Sequence, residues 1–263
     1  MTEVEALINL LHDEDPQIAI IAMEKLLSTP VFINDHLKDL QESSDPRVRS
    51  RIHQMESILT RQKKLDTFIS RIQENKIELW EDLITLNKII DRDLSTNTIT
   101  GHFEELCDKL ESNKSLIELA TFMREQNFSV PADDILDPSL YLIYEVLASE
   151  MGNPLLLCVL TRQLALRNDV KFTIVLHKGR HCLIDDENSF LDPQNNWAIT
   201  KLKDNVKIYP CTNRDILMTI ISQLYLSALI EGQLRVISFL SQIMAALSNM
   251  SVNDFPFPIG KQK

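Results

Sequence analysis

The chain has 263 residues, 44% of them hydrophobic, and a formal net charge of −11. This length allows one large core or two modest ones, and the longest apolar runs fall well short of the ~20 residues that a membrane-spanning helix needs. The negative charge disfavours nucleic acid and anionic membranes as partners, and the basic residues of segments 47–51 and 61–64 are interpreted as the solvated face of a helix. We therefore expect no nucleic-acid partner and no membrane partner.

The cysteines and the N-terminus indicate the compartment. Four cysteines lie far apart without a Cys-x-x-Cys pair, which favours reduced thiols over a disulfide framework or a zinc site. The N-terminal residues show neither a basic leader nor a small-residue cleavage site. We expect a cytoplasmic protein with no metal and no cofactor.

The first predicted region, residues 1–62, consists of paired amphipathic helices. Only five glycines, with many Leu, Ile, Glu and Lys residues, predict a mostly helical chain. The Asp15-Pro16 pair recurs as Asp45-Pro46 in a similar context, and each pair predicts a capped helix start. An internal repeat of this kind resembles HEAT repeats, in which helix pairs stack on one another.

The second predicted region, residues 63–203, is a core with a helical lead-in. Apolar residues at helical spacing predict helices in the segments 64–90, 99–113, 115–125 and 140–148. Trp80 is interpreted as an anchor of this core. A loop is predicted at 127–138, because that segment is rich in Pro and Asp.

A buried helix begins at Pro154, with Asn153 as its cap, and is apolar nearly all round. Alternating apolar residues then predict a small antiparallel sheet with strands at 170–176, 182–184 and 189–191. In residues 204–250, Gly232 separates two helices predicted at 216–229 and 234–247. Residues 251–263 are predicted to be a loose tail.

The order of these elements is typical of cysteine enzymes with a papain-like or transglutaminase-like core. Such enzymes place a cysteine at a helix N-terminus, where the helix dipole lowers its pKa, and a histidine and an aspartate on the facing strands. His181 and Asp192 stand at the positions of the histidine and of its orienting carboxylate. Pro154 stands where the thiol belongs, and proline offers neither a nucleophile nor a backbone N–H.

Four segments in the same order resemble the transglutaminase-like family of the bacterial SirB regulator type. These are VLASEMGNPLLL, RQLALRNDVKF, KGRHCL and LDPQNNW, which are similar to the family's "VLE-R-x-GIPISL", "ARRLGLPV", "PGHF" and "IDPFNGG". The resemblance extends to Leu79-Trp80 in the lead-in and to residues 216–247, which look like a tetratricopeptide hairpin. It implies a mostly helical α+β fold, with a papain/transglutaminase-like core flanked by helical hairpins, and a regulatory role. The chain departs from the family's pattern at three positions, which are Leu156, Arg180 and Cys182.

The sequence allows more than one interpretation of the candidate residues. His181 and Asp192 are interpreted mainly as a structural hydrogen bond between strands. Cys158, one turn after Pro154, and Cys182 are alternative nucleophiles, although Cys158 lies among leucines and Cys182 points away from His181 along an alternating strand. His177 is not expected to converge with His181 on a metal. The side of the C-terminal hairpin with Gln223, Arg235 and Gln242 is a solvated face or a peptide-binding groove.

Three hypotheses for function follow. The first is a non-catalytic interaction or regulatory protein, a pseudoenzyme that presents its surfaces to a protein partner. The second is a cysteine-dependent hydrolase or acyltransferase that uses Cys158 or Cys182 with His181 and Asp192. The third is a purely structural repeat protein. The oligomeric state is left open.

Overall fold

A computed structural model of the protein describes residues 2–29, 37–91, 94–110, 115–132, 136–202 and 207–252. Within these residues the protein is a mostly helical α+β protein, with eleven α-helices and one five-stranded antiparallel sheet. The chain divides into two compact units, Met1–Asp66 and Thr67–Lys263. In the described part of the chain, no helix is both long enough and apolar enough to cross a membrane.

The first unit contains two helix pairs. Its helices are α1 (Glu3–Leu10), α2 (Pro16–Leu27), α3 (Leu37–Gln41) and the first part of α4 (Pro46–Gln73). The backbone N–H of Gln17 donates to Asp15 Oδ1 at 2.8 Å, and that of Arg47 donates to Asp45 Oδ1 at 2.8 Å. Both predicted Asp-Pro helix starts are therefore confirmed.

One hydrophobic core joins the two helix pairs of the first unit. It includes Leu11, Leu26, Val48 and Ile52, all of which are completely buried. Arg51 adds polar contacts, since its guanidinium donates to two backbone carbonyls of the turn after α1. These carbonyls have no partner within a helix, so the arginine supplies the hydrogen bonds that the helix end lacks.

The second unit contains seven further helices within its described residues. They are α5 (Leu79–Ile90), α6 (Thr96–Lys109), α7 (Leu116–Glu125), α8 (Ile143–Ser149), α9 (Pro154–Arg167), α10 (Asn213–Glu231) and α11 (Leu234–Ser248). Helix α6 begins three residues before the predicted start because Ser95 caps it, and residues 111–113 of that prediction lie outside the described residues. Gly232 ends α10 with φ +69°, as the sequence predicted.

The sheet contains the three predicted strands and two more. Its strands are β1 (Thr173–His177), β2 (Arg180–Ile184), β3 (Ser189–Asp192), β4 (Ala198–Lys201) and β5 (Tyr209–Pro210), in the order β4-β3-β2-β1-β5. The first strand begins three residues later than predicted, because Val170 N–H still bonds to the carbonyl of Ala165 at the end of α9. Strands β4 and β5 were not predicted, because half of the residues in β4 are polar and β5 has only two residues.

Two tryptophans anchor the second unit in different ways. Trp80, the predicted anchor, is only half-buried, and its ring lies 4.5 Å from that of Phe103. Trp197 is completely buried, and its Nε1–H donates to the carbonyl of Phe128 at 2.6 Å. The main aromatic anchor is therefore Trp197, which joins the start of β4 to the residues after α7.

The two C-terminal helices belong to the second compact unit. Helix α10 packs against α5, α9 and the 3-10 helix Pro138–Tyr141. Asn213 at its start accepts a hydrogen bond from Arg162 of α9 and donates one to the carbonyl of Ile77. Residues 253–263 of the predicted tail lie outside the described residues.

Candidate functional site

A cavity of about 590 Å³ opens at the N-terminus of α9 in the second unit. Pro154 lines it from the helix, and His181 lines it from the sheet. Thr219 and Gln223, one turn apart on α10, line another part of its wall. The structure therefore brings Pro154 and His181 to one cavity, although they are 27 positions apart in the sequence.

Backbone hydrogen bonds fix the turn that leads into α9. Ser129 N–H donates to the carbonyl of Glu150 at 2.9 Å, and Gly152 N–H donates to the carbonyl of Ser129 at 3.1 Å. Asn153 N–H donates to the carbonyl of Leu140 at 2.9 Å. A Cβ at Gly152 would lie 2.9 Å from a methyl of Val146, so this close approach requires glycine.

Asn153 and Pro154 form the start of α9 at the cavity wall. Asn153 Oδ1 accepts from Leu155 N–H at 2.9 Å, which confirms the predicted cap, and its Nδ2 donates to the hydroxyl of Tyr141 at 3.1 Å. Pro154 is the first residue of the helix and is buried. The helix dipole is thus directed at a residue that has no ionisable group and no N–H.

His181 is half-buried and lines the cavity from β2. It pairs with Leu176 in the β1–β2 register, so its side chain is on the same face of the sheet as that leucine. Burial lowers the pKa of His181, which favours the neutral imidazole at neutral pH. Within the described residues, its ring makes no hydrogen bond to another side chain or carbonyl.

Asp192 is on the opposite face of the sheet from His181. The β2–β3 register pairs Leu183 with Leu191, which places Asp192 opposite Cys182. Asp192 Oδ2 accepts from Arg180 Nη1 at 3.1 Å, and its Oδ1 accepts from Gln194 N–H at 2.9 Å. The structure thus gives Asp192 two other partners and does not bring it to His181.

The two candidate thiols are completely buried and do not line the cavity. Burial raises the pKa of Cys158 well above its ordinary value. Burial also raises the pKa of Cys182 to about 12, with a smaller contribution from Asp192. Cys182 is on the other face of β2 from His181. Both sulfurs are therefore held as neutral thiols at neutral pH.

The remaining sequence candidates are separated in the structure. His177 lies on the other face of the sheet from His181; its Nδ1 is 3.3 Å from the carbonyl oxygen of Lys207, and its ring meets Phe190 edge-on. Among the described residues, no group of three or more His, Cys, Asp or Glu side chains could hold a metal ion. Gln223 lines the cavity at α9, whereas Gln242 lines a second cavity of about 440 Å³.

The described lining of the first cavity is uncharged. Its polar side chains are Tyr141, Asn153, His181, Gln194, Thr219 and Gln223. Its apolar wall comes from Val130, Pro131, Ala132, Leu136, Leu140 and Pro154. Sequence reasoning did not find Tyr141 or Thr219, because nothing in their local pattern distinguishes them from residues that pack helices.

Comparisons of the chain with protein-family models, with curated proteins and with solved structures found no match.

Proposed function

We propose that the protein is a non-catalytic, cytoplasmic binding protein whose cavity at the N-terminus of α9 takes an uncharged segment of a protein partner. In this proposal the second unit is a transglutaminase-like core with a tetratricopeptide-like helix pair, and the first unit is a HEAT-like helix stack. Pro154 carries the proposal, since the helix N-terminus that faces His181 has no nucleophile. The cavity of such a core then serves for binding alone.

No carboxylate among the described residues orients the imidazole of His181, which supports a non-catalytic cavity. A histidine that acts as a general base is normally held by a hydrogen bond that fixes its tautomer. Asp192 is turned to the other face of the sheet and is bonded to Arg180. His181 is therefore free to act as a neutral donor or acceptor toward a ligand.

The composition of the wall supports an uncharged peptide segment as the ligand. The carboxamides of Gln194 and Gln223 each offer a donor and an acceptor, and a peptide group needs both. The imidazole of His181 offers the same pair in its neutral form. Burying a charged ligand group here would leave that charge without a partner among the described lining residues, which is unfavourable.

The alternative of a cysteine-dependent hydrolase receives no support from the thiols. Cys158 and Cys182 are both buried, and burial raises both pKa values. A nucleophilic thiol needs the opposite environment, namely partial exposure and a nearby positive charge.

Peptide selection on the full chain tests the proposal. A displayed library of random peptides is selected on the native protein, and the affinities of enriched synthetic peptides are measured by calorimetry. We expect the enriched peptides to be uncharged. Their dissociation constants should rise at least about tenfold in Gln223→Arg, because the substitution brings a bulky charge to the cavity wall. Gln242→Arg is the matched control, since it makes the same change on the same helix pair at the second cavity.

Two results would contradict the proposal. One is an equal loss of affinity in both variants, which would place the peptide elsewhere. The other is cleavage of the bound peptide, detected by mass spectrometry, together with loss of that cleavage in Cys158→Ala or Cys182→Ala.

A further inference from the structure

In the first unit, the second helix pair packs one face of α4 against the first helix pair. Val48 and Arg51 lie at the start of α4, three and six residues after Asp45. Val48 is completely buried in the core shared with the first helix pair. Arg51 donates to the carbonyls of Leu11 at 2.7 Å and of Asp13 at 2.9 Å. The first helix pair therefore covers this face of the second.

The equivalent face of the first helix pair is apolar and exposed. The residues thirty positions before Val48 and Arg51 are Ile18 and Ile21, whose exposed fractions are 38% and 56%. They are three residues apart and so adjoin on α2, with Lys25 on the same side. We call Ile18, Ile21 and Lys25 the outer face of α2. The repeat thus has a stacking surface that no described residue covers.

The opposite end of the two stacked helix pairs is polar. Met23 and Leu26 of α2 are buried in the shared core. Their equivalents thirty positions later are His53 and Glu56, whose side chains are 67% and 30% exposed. Helical repeat arrays normally end in polar faces that keep them soluble. The outer face of α2 is apolar, whereas the face with His53 and Glu56 at the other end is polar.

Because one end of the first unit is apolar and the other is polar, the two ways in which copies of the chain could pair are not equally favourable. An apolar face does not match the polar end of a second copy, so head-to-tail stacking is disfavoured. The outer face of α2 does match itself, and a surface that pairs with itself gives a closed two-fold dimer. We infer that two copies of this chain associate through the outer faces of their α2 helices, packed antiparallel about Ile21.

Charge complementarity supports the antiparallel arrangement. An acidic turn, Asp13 to Asp15, precedes α2, and Lys25 lies in its last turn. With the two-fold axis near Ile21, Lys25 of one copy lies opposite Gln17 of the other copy. Gln17 is about 3 Å from Asp15 along the axis of helix α2. Each lysine is then next to the acidic turn of the other copy, and the two helix dipoles are opposed. A parallel arrangement would bring the two acidic turns together.

The dimer is expected to depend on concentration. Stable complexes bury about 800 Å² on each partner, and a face centred on two isoleucines is smaller than that. This inference does not depend on the cavity at α9, and its test does not involve that cavity.

Analytical ultracentrifugation of the full chain tests the dimer. Over about 1 to 500 µM, the weight-average mass should rise above the monomer value of 30.3 kDa toward twice that value. Ile21→Glu should raise the dissociation constant at least about tenfold, because it buries a carboxylate in the interface. Ile20→Glu is the control, since Ile20 is 51% exposed on the same helix but points to a different side.

Circular dichroism first confirms that both variants are folded. A mass of 30.3 kDa at every concentration would overturn the inference. So would an equal effect of the two substitutions, which would indicate association through another surface.

Discussion

A buried carboxylate in α5 should make the second unit less stable as the pH rises. Asp82 is completely buried, and neither of its oxygens accepts a hydrogen bond of good geometry from a described residue. Its Oδ1 lies 3.2 Å from Nη2 of Arg71 in an ion pair. Burial raises the pKa of Asp82 from 3.8 to about 6, although Arg71 acts in the opposite direction. The folded state therefore holds this proton more tightly than the unfolded state does.

The sign and size of the effect follow from that pKa difference. Below pH 3.8 Asp82 is protonated in both states and costs nothing; as the pH rises toward 6, only the unfolded state gains by ionisation. The free energy of unfolding therefore falls over this window, by up to about 3 kcal/mol at neutral pH, since one pKa unit corresponds to about 1.4 kcal/mol. Asp82→Asn, which resembles the protonated form, should remove this loss.

Urea denaturation followed by tryptophan fluorescence measures the effect. Both tryptophans, Trp80 and Trp197, lie in the second unit, so their emission reports its unfolding. We expect the stability gained by Asp82→Asn to be about 2 kcal/mol larger at pH 7.5 than at pH 4.5. Glu125→Gln, which removes an exposed carboxylate from α7, is the matched control and should not reproduce this pH dependence.

Two outcomes would refute the reasoning. If Asp82→Asn lowers the stability at pH 7.5, the ion pair with Arg71 contributes more than burial costs. If the difference between variant and wild type does not change with pH, Asp82 titrates alike in the folded and unfolded states.

Four further substitutions test the packing and the turns. Trp197→Phe removes the hydrogen bond to the buried carbonyl of Phe128 and should cost about 1 to 3 kcal/mol in urea denaturation followed by circular dichroism. Gly152→Ala introduces a Cβ within 2.9 Å of a neighbouring methyl and should lower the free energy of unfolding by about 1 to 3 kcal/mol. Gly232→Ala should lower the free energy of unfolding by about 1 kcal/mol, because φ at this position is +69°. Gly101→Ala, inside α6 with open space around it, should raise the free energy of unfolding by about 0.5 to 1 kcal/mol. Equal shifts in melting temperature for Gly232→Ala and Gly101→Ala would contradict these two expectations.

Local chemistry predicts much of the fold. The Asp-Pro pairs, the Asn153 cap and Gly232 each act through contacts with residues a few positions away, and the structure has all of them. Strand β5 depends on pairing with β1 and has no pattern of its own, so no sequence signal predicts it.

The cavity is less predictable than the helices. The likeness of the element order to that of cysteine enzymes suggests that Pro154 and His181 lie together, and the structure places both on one cavity. The position of Asp192 depends on the register of β3 against β2, and a change of one residue turns a side chain to the other face. Thr219 and Gln223 reach the wall because α10 packs beside α9, a tertiary contact with no local signature.

The most direct test of a non-catalytic cavity is thiol alkylation at pH 7.5, with each cysteine followed by peptide mapping. With a pKa of about 12, Cys182 is expected to react about 1,000-fold more slowly than a free thiol, and the buried Cys158 should also need unfolding. Pro154→Cys should add a site that reacts faster than a free thiol and is slowed by His181→Ala, since the new thiol would sit at a helix N-terminus in the cavity that His181 also lines. Fast alkylation of Cys158 or Cys182 in the native protein, abolished by His181→Ala, would contradict the account.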